Sequence, residues 1–273
     1  MPIAIDACVA QHQGDRREQQ DRAAILPHPR GGGVVLAVVA DGMGGHTGGV
    51  IAARQVIHTA RNNLESFSAR SDAPHTLLES SINEAHTLIK ASRFMNEKDP
   101  HSTAVMLLLQ PARVSWAHCG DSRFYHFRGD ELVFRSTDHS YVAQLVTQGR
   151  ITPEQAVVHP NRNILLTSLG GAEPPKITLG ESEGPQVGDS FLLCSDGLWA
   201  YFTDQELGWV IAGAASAREA AELLIGRARA LAKGDGDNIS LAVLKMLDAS
   251  PSARQTTSAP AATAGLLSSQ SAK

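Results

Sequence analysis

Four aspartates stand at the ends of apolar runs. "VVLAVVAD" closes on Asp41 and "FLLCSD" closes on Asp196. "GDGDNISLAVLKM" puts Asp237 just ahead of its run, and Asp121 follows "VSWAHCG". In an antiparallel sheet the end of one strand lies beside the start of its neighbour. Asp41, Asp196 and Asp237 are therefore expected on one edge of a sheet assembly, with Asp121 as a fourth carboxylate just past a strand. Carboxylates gathered in this way repel, at about 1 kcal/mol per pair 4 Å apart in water and roughly 4 kcal/mol near a protein surface. Cations remove that cost. A set of oxygen donors with no Cys or His suits Mg²⁺ or Mn²⁺ better than zinc. Asp-Gly is also a common turn pair, and "DGMGG" and "SDGLW" fit plain strand termination as well. Their joint occurrence with "GDSR" and "GDNIS" is what points to a metal centre.

The glycines at 42, 44, 45, 48 and 49 suggest a phosphate-cradling loop, yet the loop opens on an acid that would repel phosphate. A nucleotide-binding reading fails on detail. Gly-Lys-Ser/Thr is missing, and the GxGxxG register breaks at Thr47. Cations held by Asp41 reconcile an acid with a phosphate substrate.

The elements that must position these residues can be read from the pattern. Strands are predicted around 34–40, 103–109, 113–118, 123–128, 131–135, 189–194 and 239–246. "WAHCGDSRFYHFRGDELVF" reads as consecutive hairpins with Gly-Asp at both turns, which argues against a purely parallel sheet. Helices are predicted from about 48 to 67, 74 to 92 and 139 to 148. Two more begin at the capping boxes Thr203/Glu206 and Ser216/Glu219.

Bulk properties bound the rest. The 273 residues are 42% hydrophobic and 19% charged, with a formal net charge of −4. This balance supports a full-size core and argues against a general nucleic-acid binder, which would show basic clusters. No apolar run approaches the roughly 20 residues of a membrane helix. The N-terminal stretch lacks the pattern of a signal peptide. Cys8, Cys119 and Cys194 form neither a zinc pattern nor a disulfide framework, and a reducing cytoplasm is the expected compartment. One folded domain is expected over 1–247. Residues 248–273, rich in Ser, Ala and Thr, are expected to form a disordered tail.

Taken in series, "GDRREQQD", "VADGMGGH", "HSTAV", "WAHCGDSRFYHFRGDEL", "STDHSYVAQLVTQGRIT", "HPNRNILLTSLG", "FLLCSDGLW" and "DNISLAVLK" resemble the metal-dependent serine/threonine protein phosphatases of type 2C (PPM), bacterial branch. The resemblance covers most of 10–247. It implies an α+β fold, a four-layer α-β-β-α sandwich of two antiparallel sheets packed face to face with helices on both outer sides. It also implies a centre of two Mn²⁺ or Mg²⁺ ions, and a third more weakly held. Carried over by position, Asp41 would bridge the two ions and the Gly42 carbonyl would complete one of them. Asp196 and Asp237 would bind the other, and Asp121 would bind the third. Arg16, five residues before Asp21, would hold the phosphate; without the family pattern "DRRE" reads as a solvated charge cluster. Asp21 would hold water in the outer sphere. The implied reaction is hydrolysis of phosphoserine and phosphothreonine by direct attack of a hydroxide bridging the two ions, with no phosphoenzyme. The implied partners are phosphorylated proteins and an opposing bacterial Ser/Thr kinase, with no nucleic acid and no membrane. A non-catalytic module on the same fold is the competing reading, and the retained Asp41, Asp196 and Asp237 speak against it.

Several positions depart from the family pattern. Met43 stands where some members carry a histidine thought to protonate the leaving group, which leaves that proton without a named donor. His46 is nearby in sequence, though a turn histidine is more often solvated. Gln20 replaces a common Glu, Val50 an acidic residue, and His101 a small Gly. "TDHSYVAQLVTQGRIT" with "HPNRN" matches a mobile flap. There His139 and Ser140 have a possible part in substrate access, against the simpler reading that Ser140 or Asp138 caps the following helix. His159 and Arg162 are further candidates near the substrate.

Overall fold

The computed structural model describes residues 2–44, 48–96 and 99–250. Among these residues the apolar runs become two five-stranded antiparallel sheets. One sheet has the order β1 (Ile3–His12), β12 (Ile239–Asp248), β11 (Asp189–Cys194), β8 (Arg123–Arg128), β9 (Glu131–Arg135). The other has the order β10 (Thr178–Glu183), β7 (Arg113–Cys119), β6 (Ala104–Gln110), β3 (Val35–Ala40), β2 (Arg22–Pro27). A two-residue pair, β4 (Gly42–Met43) with β5 (His101–Ser102), extends past the end of β3.

The alternation of side chains explains the layers. On β3, Leu36, Val38 and Ala40 pack outward beneath the helices α1 (Gly48–Ser66) and α2 (Pro74–Asn96). Ala37 and Val39 point inward and meet Phe191, Leu193, Ala242 and Leu244 of the facing sheet. Both faces are buried, so the strand reads as an unbroken apolar run. On the other side Leu192, Cys194, Leu241 and Val243 pack beneath α6 (Asp204–Gly213) and α7 (Ala217–Ala232). Each fully buried Leu, Val or Phe of these layers contributes roughly 1.5–3 kcal/mol. The result is the four-layer α-β-β-α sandwich expected from the resemblance.

All seven predicted strands and five predicted helices are present. Besides the two-residue β4 and β5, three strands of the main sheets escaped the sequence pattern: β1, β2 and β10. All three are sheet edges. An edge strand packs on one neighbour only and is often polar or Pro-ended, so its period-2 signal is weak. The fourth edge, β9, was legible because the Gly129-Asp130 turn joins it to β8. The short helices α4 (Pro153–Val157) and α5 (Asp196–Trp199) were also missed. The helix predicted at 139–148 is α3 (Tyr141–Thr147), and Ser140 is its N-cap, accepting from the Ala143 N–H. Thr203 and Glu206 form a full capping box. Ser216 accepts from the Glu219 N–H, but the Glu219 carboxylate reaches back to the Ala215 N–H rather than to its own cap.

One expectation is corrected. "WAHCGDSRFYHF" is not a hairpin. β7 and β8 belong to different sheets, and Gly120–Ser122 carries the chain across between them. Gly120 has φ +102°, and a Cβ there would sit 2.6 Å from the Thr103 side chain. The same Gly-Asp pair that serves as a hairpin turn after β8 is thus a crossover after β7. The difference is set by which sheet each flanking apolar face is buried in, which local sequence does not encode.

Candidate metal centre

The crossover decides where the acids meet. Asp196 follows β11 and Asp237 precedes its antiparallel neighbour β12, so both sit at one end of one sheet. Asp41 ends β3 on the facing sheet, and Asp121 lies on the crossover between the two. These residues line a cleft of about 710 Å³, together with Arg16, Gly42, Met43 and, from the excursion after α3, Asn163 and Leu165.

Each acid is held by its own local device. The Asp41 carbonyl accepts from the Thr103 N–H (2.9 Å) and the Ser102 hydroxyl (3.0 Å), and the Asp41 N–H donates to Thr103 Oγ1 (3.0 Å). "HSTAV" is therefore the brace of Asp41. Gly42 and Gly49 press backbone against backbone. A Cβ on Gly42 would lie 2.1 Å from the Gly49 carbonyl oxygen. Gly42→Ala is expected to destabilise the protein by roughly 1–3 kcal/mol or more, as overpacking does, read as a lower urea midpoint with an unchanged slope. Asp196 opens the short helix α5, which Ser195 precedes as N-cap. Arg16 and its loop are pinned by Asn238, whose amide donates to the carbonyls of Gln13 (2.7 Å) and Glu18 (2.9 Å) and accepts from the Gln20 N–H (2.8 Å).

Asp21 lies beneath the cleft, buried. Its Oδ2 accepts from the Ser195 hydroxyl (2.7 Å), and that hydroxyl accepts in turn from the Ser240 N–H (3.0 Å). Burial raises the Asp21 pKa to about 7, with Asp196 adding to the rise. Asp196 is raised to about 6, by burial first and then by Asp237. Asp41 and Asp121 are pushed well above the usual carboxylate range, again by burial and then by their acidic neighbours. Arg16 forks onto Asp237, Nε to Oδ1 at 2.8 Å and Nη2 to Oδ2 at 2.6 Å.

Mutual elevation of several carboxyl groups marks a place that lacks positive charge. The donors are all oxygen, which fits hard divalent cations. Among the described residues no three of these side chains already close around one point as a finished cage.

Other sequence candidates fall elsewhere. His139 is buried. It accepts at Nδ1 from the Gly120 N–H (3.3 Å), its Nε2 pairs with Thr178 Oγ1 (2.9 Å), and burial lowers its pKa to about 3. It braces the crossover and does not line the cleft. Ser140 is a buried cap. His159 is half-buried beside Tyr141 and Arg162 is exposed, and neither lines the cleft. His101, opposite Met43 in the β4–β5 pair, engages Ser168 (3.1 Å) and Asp99 (3.1 Å). His46 lies outside the described residues. Sequence reasoning missed Asn238, Ser195, Asn163 and Leu165. For Asn238 a signal existed, since an Asn beside the strand-start Asp is well suited to hold a loop. Asn163 ends the "HPNRN" segment that the resemblance puts near the site, and Leu165 follows two residues on, but nothing in the local sequence singles out either residue.

Fold and site together define an α-β-β-α sandwich with an acid-lined cleft, fit for divalent cations, at one end of its paired sheets. Residues 10–233 match the protein phosphatase 2C family, and the chain belongs to that family. It is 34% identical over 222 residues to the serine/threonine protein phosphatase PstP of Mycobacterium tuberculosis, covering 79% of this chain and 41% of the relative. The chain thus spans less than half the length of that protein. It is 30% identical over 238 residues to the serine/threonine phosphatase stp of Listeria innocua, covering 82% and 93%. Among solved structures, the catalytic domain of PstP in complex with two manganese ions superimposes with a TM-score of 0.76 at 27% identity, covering 90% and 100% of the two chains.

Proposed function

We propose that this protein is a metal-dependent phosphatase that hydrolyses phosphoserine and phosphothreonine in proteins, opposing a Ser/Thr kinase. The observation that carries the reading is the convergence of Asp41, Asp121, Asp196 and Asp237 from four separate elements onto one cleft, with the Arg16 guanidinium at its rim. The relatives' names as serine/threonine phosphatases and the two manganese ions of the PstP structure support it.

In this reading Asp41, the Gly42 carbonyl, Asp196 and Asp237 hold two Mn²⁺ or Mg²⁺ ions, Asp121 holds a third, and Asp21 orders water behind them. Bound there, such ions supply an activated water near neutral pH and positive charge for an in-line displacement. The chain's own contribution is placement. Arg16 presents a planar, permanently charged fork to the non-bridging phosphoryl oxygens. Ser195 directs its proton to Asp21 Oδ2, because its acceptor side is taken by the Ser240 N–H. Met43 carries no transferable proton, so the leaving group draws its proton from water.

No helix among the described residues is long and apolar enough to cross a membrane. The three cysteines are free, in keeping with a cytoplasmic setting. The test is hydrolysis of a phosphothreonine peptide with and without Mn²⁺. Activity is expected to need the ion and to vanish in excess chelator; full activity in chelator rejects the reading. Trapping a phosphoenzyme rejects direct attack.

A further inference from the structure

Asp121 is gripped through its backbone. The Trp199 indole Nε1–H donates to the Asp121 carbonyl at 2.9 Å. Trp199 closes α5, the short helix that Asp196 opens. One side chain therefore ties the crossover carrying Asp121 to the helix carrying Asp196.

The indole is itself held. The Arg123 guanidinium lies 3.5 Å from the Trp199 ring centroid. The same guanidinium forks onto Asp138, Nε to Oδ1 and Nη2 to Oδ2, both at 2.8 Å, and Nη1 reaches the Tyr125 hydroxyl at 3.3 Å. Arg123 and Asp138 expose only 16% and 10% of their side chains, so this pair is shielded from solvent and its geometry is fixed. A planar cation between a carboxylate fork and an aromatic face leaves the ring one orientation. On the other side of Asp121, the His139 N–H donates to the Gly120 carbonyl at 2.9 Å. None of these groups lines the cleft.

We infer that Trp199, oriented by Arg123, is a positioning residue that sets Asp121 relative to Asp196 and so tunes the cation site that Asp121 serves. The inference rests on the reading of Asp121 as a cation ligand. Groups that orient a ligand without touching the ion typically change metal affinity by roughly ten- to a hundredfold when altered. The indole N–H is the atom that matters, because the ring face serves Arg123 and the N–H serves Asp121.

The experiment is Mn²⁺ binding followed by calorimetry and by the EPR signal of free Mn²⁺, on wild type, Trp199→Phe, Arg123→Lys and Asp121→Asn. Asp121→Asn identifies the binding event that depends on that carboxylate. Trp199→Phe keeps a ring for Arg123 and deletes only the donor. It is expected to weaken that same event by roughly tenfold or more, with the other events unchanged. Arg123→Lys keeps the charge, loses the fork, and is expected to shift the same event in the same direction by less. Raising Mn²⁺ is expected to restore Trp199→Phe hydrolysis of p-nitrophenyl phosphate with KM unchanged. A wild-type-like isotherm for Trp199→Phe overturns the inference. So does equal weakening of all events, which marks general damage, or a wild-type isotherm with no event sensitive to Asp121→Asn. If wild type hydrolyses nothing but Trp199→Phe still weakens the Asp121-dependent event, the positioning role stands and the phosphatase reading falls.

Discussion

Asp41→Asn is expected to abolish hydrolysis while making the metal-free protein more stable. The two effects share a cause. Asp41 sits among Asp21, Asp121, Asp196 and Asp237, and its own pKa is driven up by burial and by those neighbours. An amide keeps the shape and offers an N–H to the surrounding carboxylates while removing the charge. Stability in chelator should therefore rise by several degrees in Tm, at roughly 2–4 °C per kcal/mol for a chain of this size. Activity should fall by at least about 10³-fold, the equivalent of some 4 kcal/mol of lost charge stabilisation.

The pH dependence follows from the same groups. A carboxyl with a higher pKa in the folded state binds more protons when folded. Its stability is complete below its unfolded value and is lost as pH rises through the folded one. Asp196 and Asp21, at about 6 and about 7, and Asp41 and Asp121, pushed well above the usual carboxylate range, all act in this direction. His118 and His139 oppose them at lower pH. Burial lowers both, so their stability is present above the unfolded histidine value and is lost as pH falls. Above about pH 6.5 the histidine contribution is complete. Between about pH 6.5 and 8 the metal-free wild type should therefore lose stability as pH rises. Asp41→Asn should flatten that slope, and saturating Mn²⁺ should reverse it. Thermal melts across this range in chelator check the prediction, and a pH-independent wild type contradicts it.

Arg16→Ala is expected to separate two properties that usually fall together. Turnover should drop and Mn²⁺ affinity should rise. Arg16 forks onto Asp237, one of the expected ligands, yet 61% of its side chain and 40% of that of Asp237 are exposed. An ion pair so exposed is worth only about 0.2–1 kcal/mol. A divalent cation at Asp237 would displace it and free the fork for phosphate. Removing the arginine deletes both the competitor and the phosphate contact. Mn²⁺ should bind up to about fivefold more tightly, which is that same 1 kcal/mol expressed as a ratio. Loss of a preorganised cationic donor should lower kcat/KM on a phosphothreonine peptide by roughly 10²- to 10³-fold. Arg16→Lys should recover little, because an ammonium cannot present the bidentate fork. Weaker Mn²⁺ binding in Arg16→Ala would place Arg16 among the supports of the centre instead.

Much of this site was legible because the chemistry falls at strand ends. Asp41, Asp196 and Asp237 each adjoin an apolar run whose burial on both faces makes it readable, and adjacency of β11 and β12 brings two of them together by antiparallel geometry alone. Arg16, Gly42 and Asp21 were reached through the family resemblance, and all lie at or beneath the cleft. The helix caps Ser140, Thr203 and Ser216 were legible for the same local reason, since a hydroxyl two or three residues from its N–H partner needs no distant help.

Local sequence could not tell that Gly120–Ser122 leaves one sheet for the other, because a Gly-Asp pair is equally at home in a hairpin. It could not place Asn163 and Leu165 in the cleft, assign Asn238 to the Arg16 loop, or set the Trp199 indole on the Asp121 carbonyl. The sequence by itself determined which acids the chain offers, the strands of its interior and the family pattern they follow. Only the tertiary structure decided which faces pack, and therefore which acids meet. Strand identity is written in short-range alternation, whereas the crossing between sheets is selected by burial of side chains far apart along the chain.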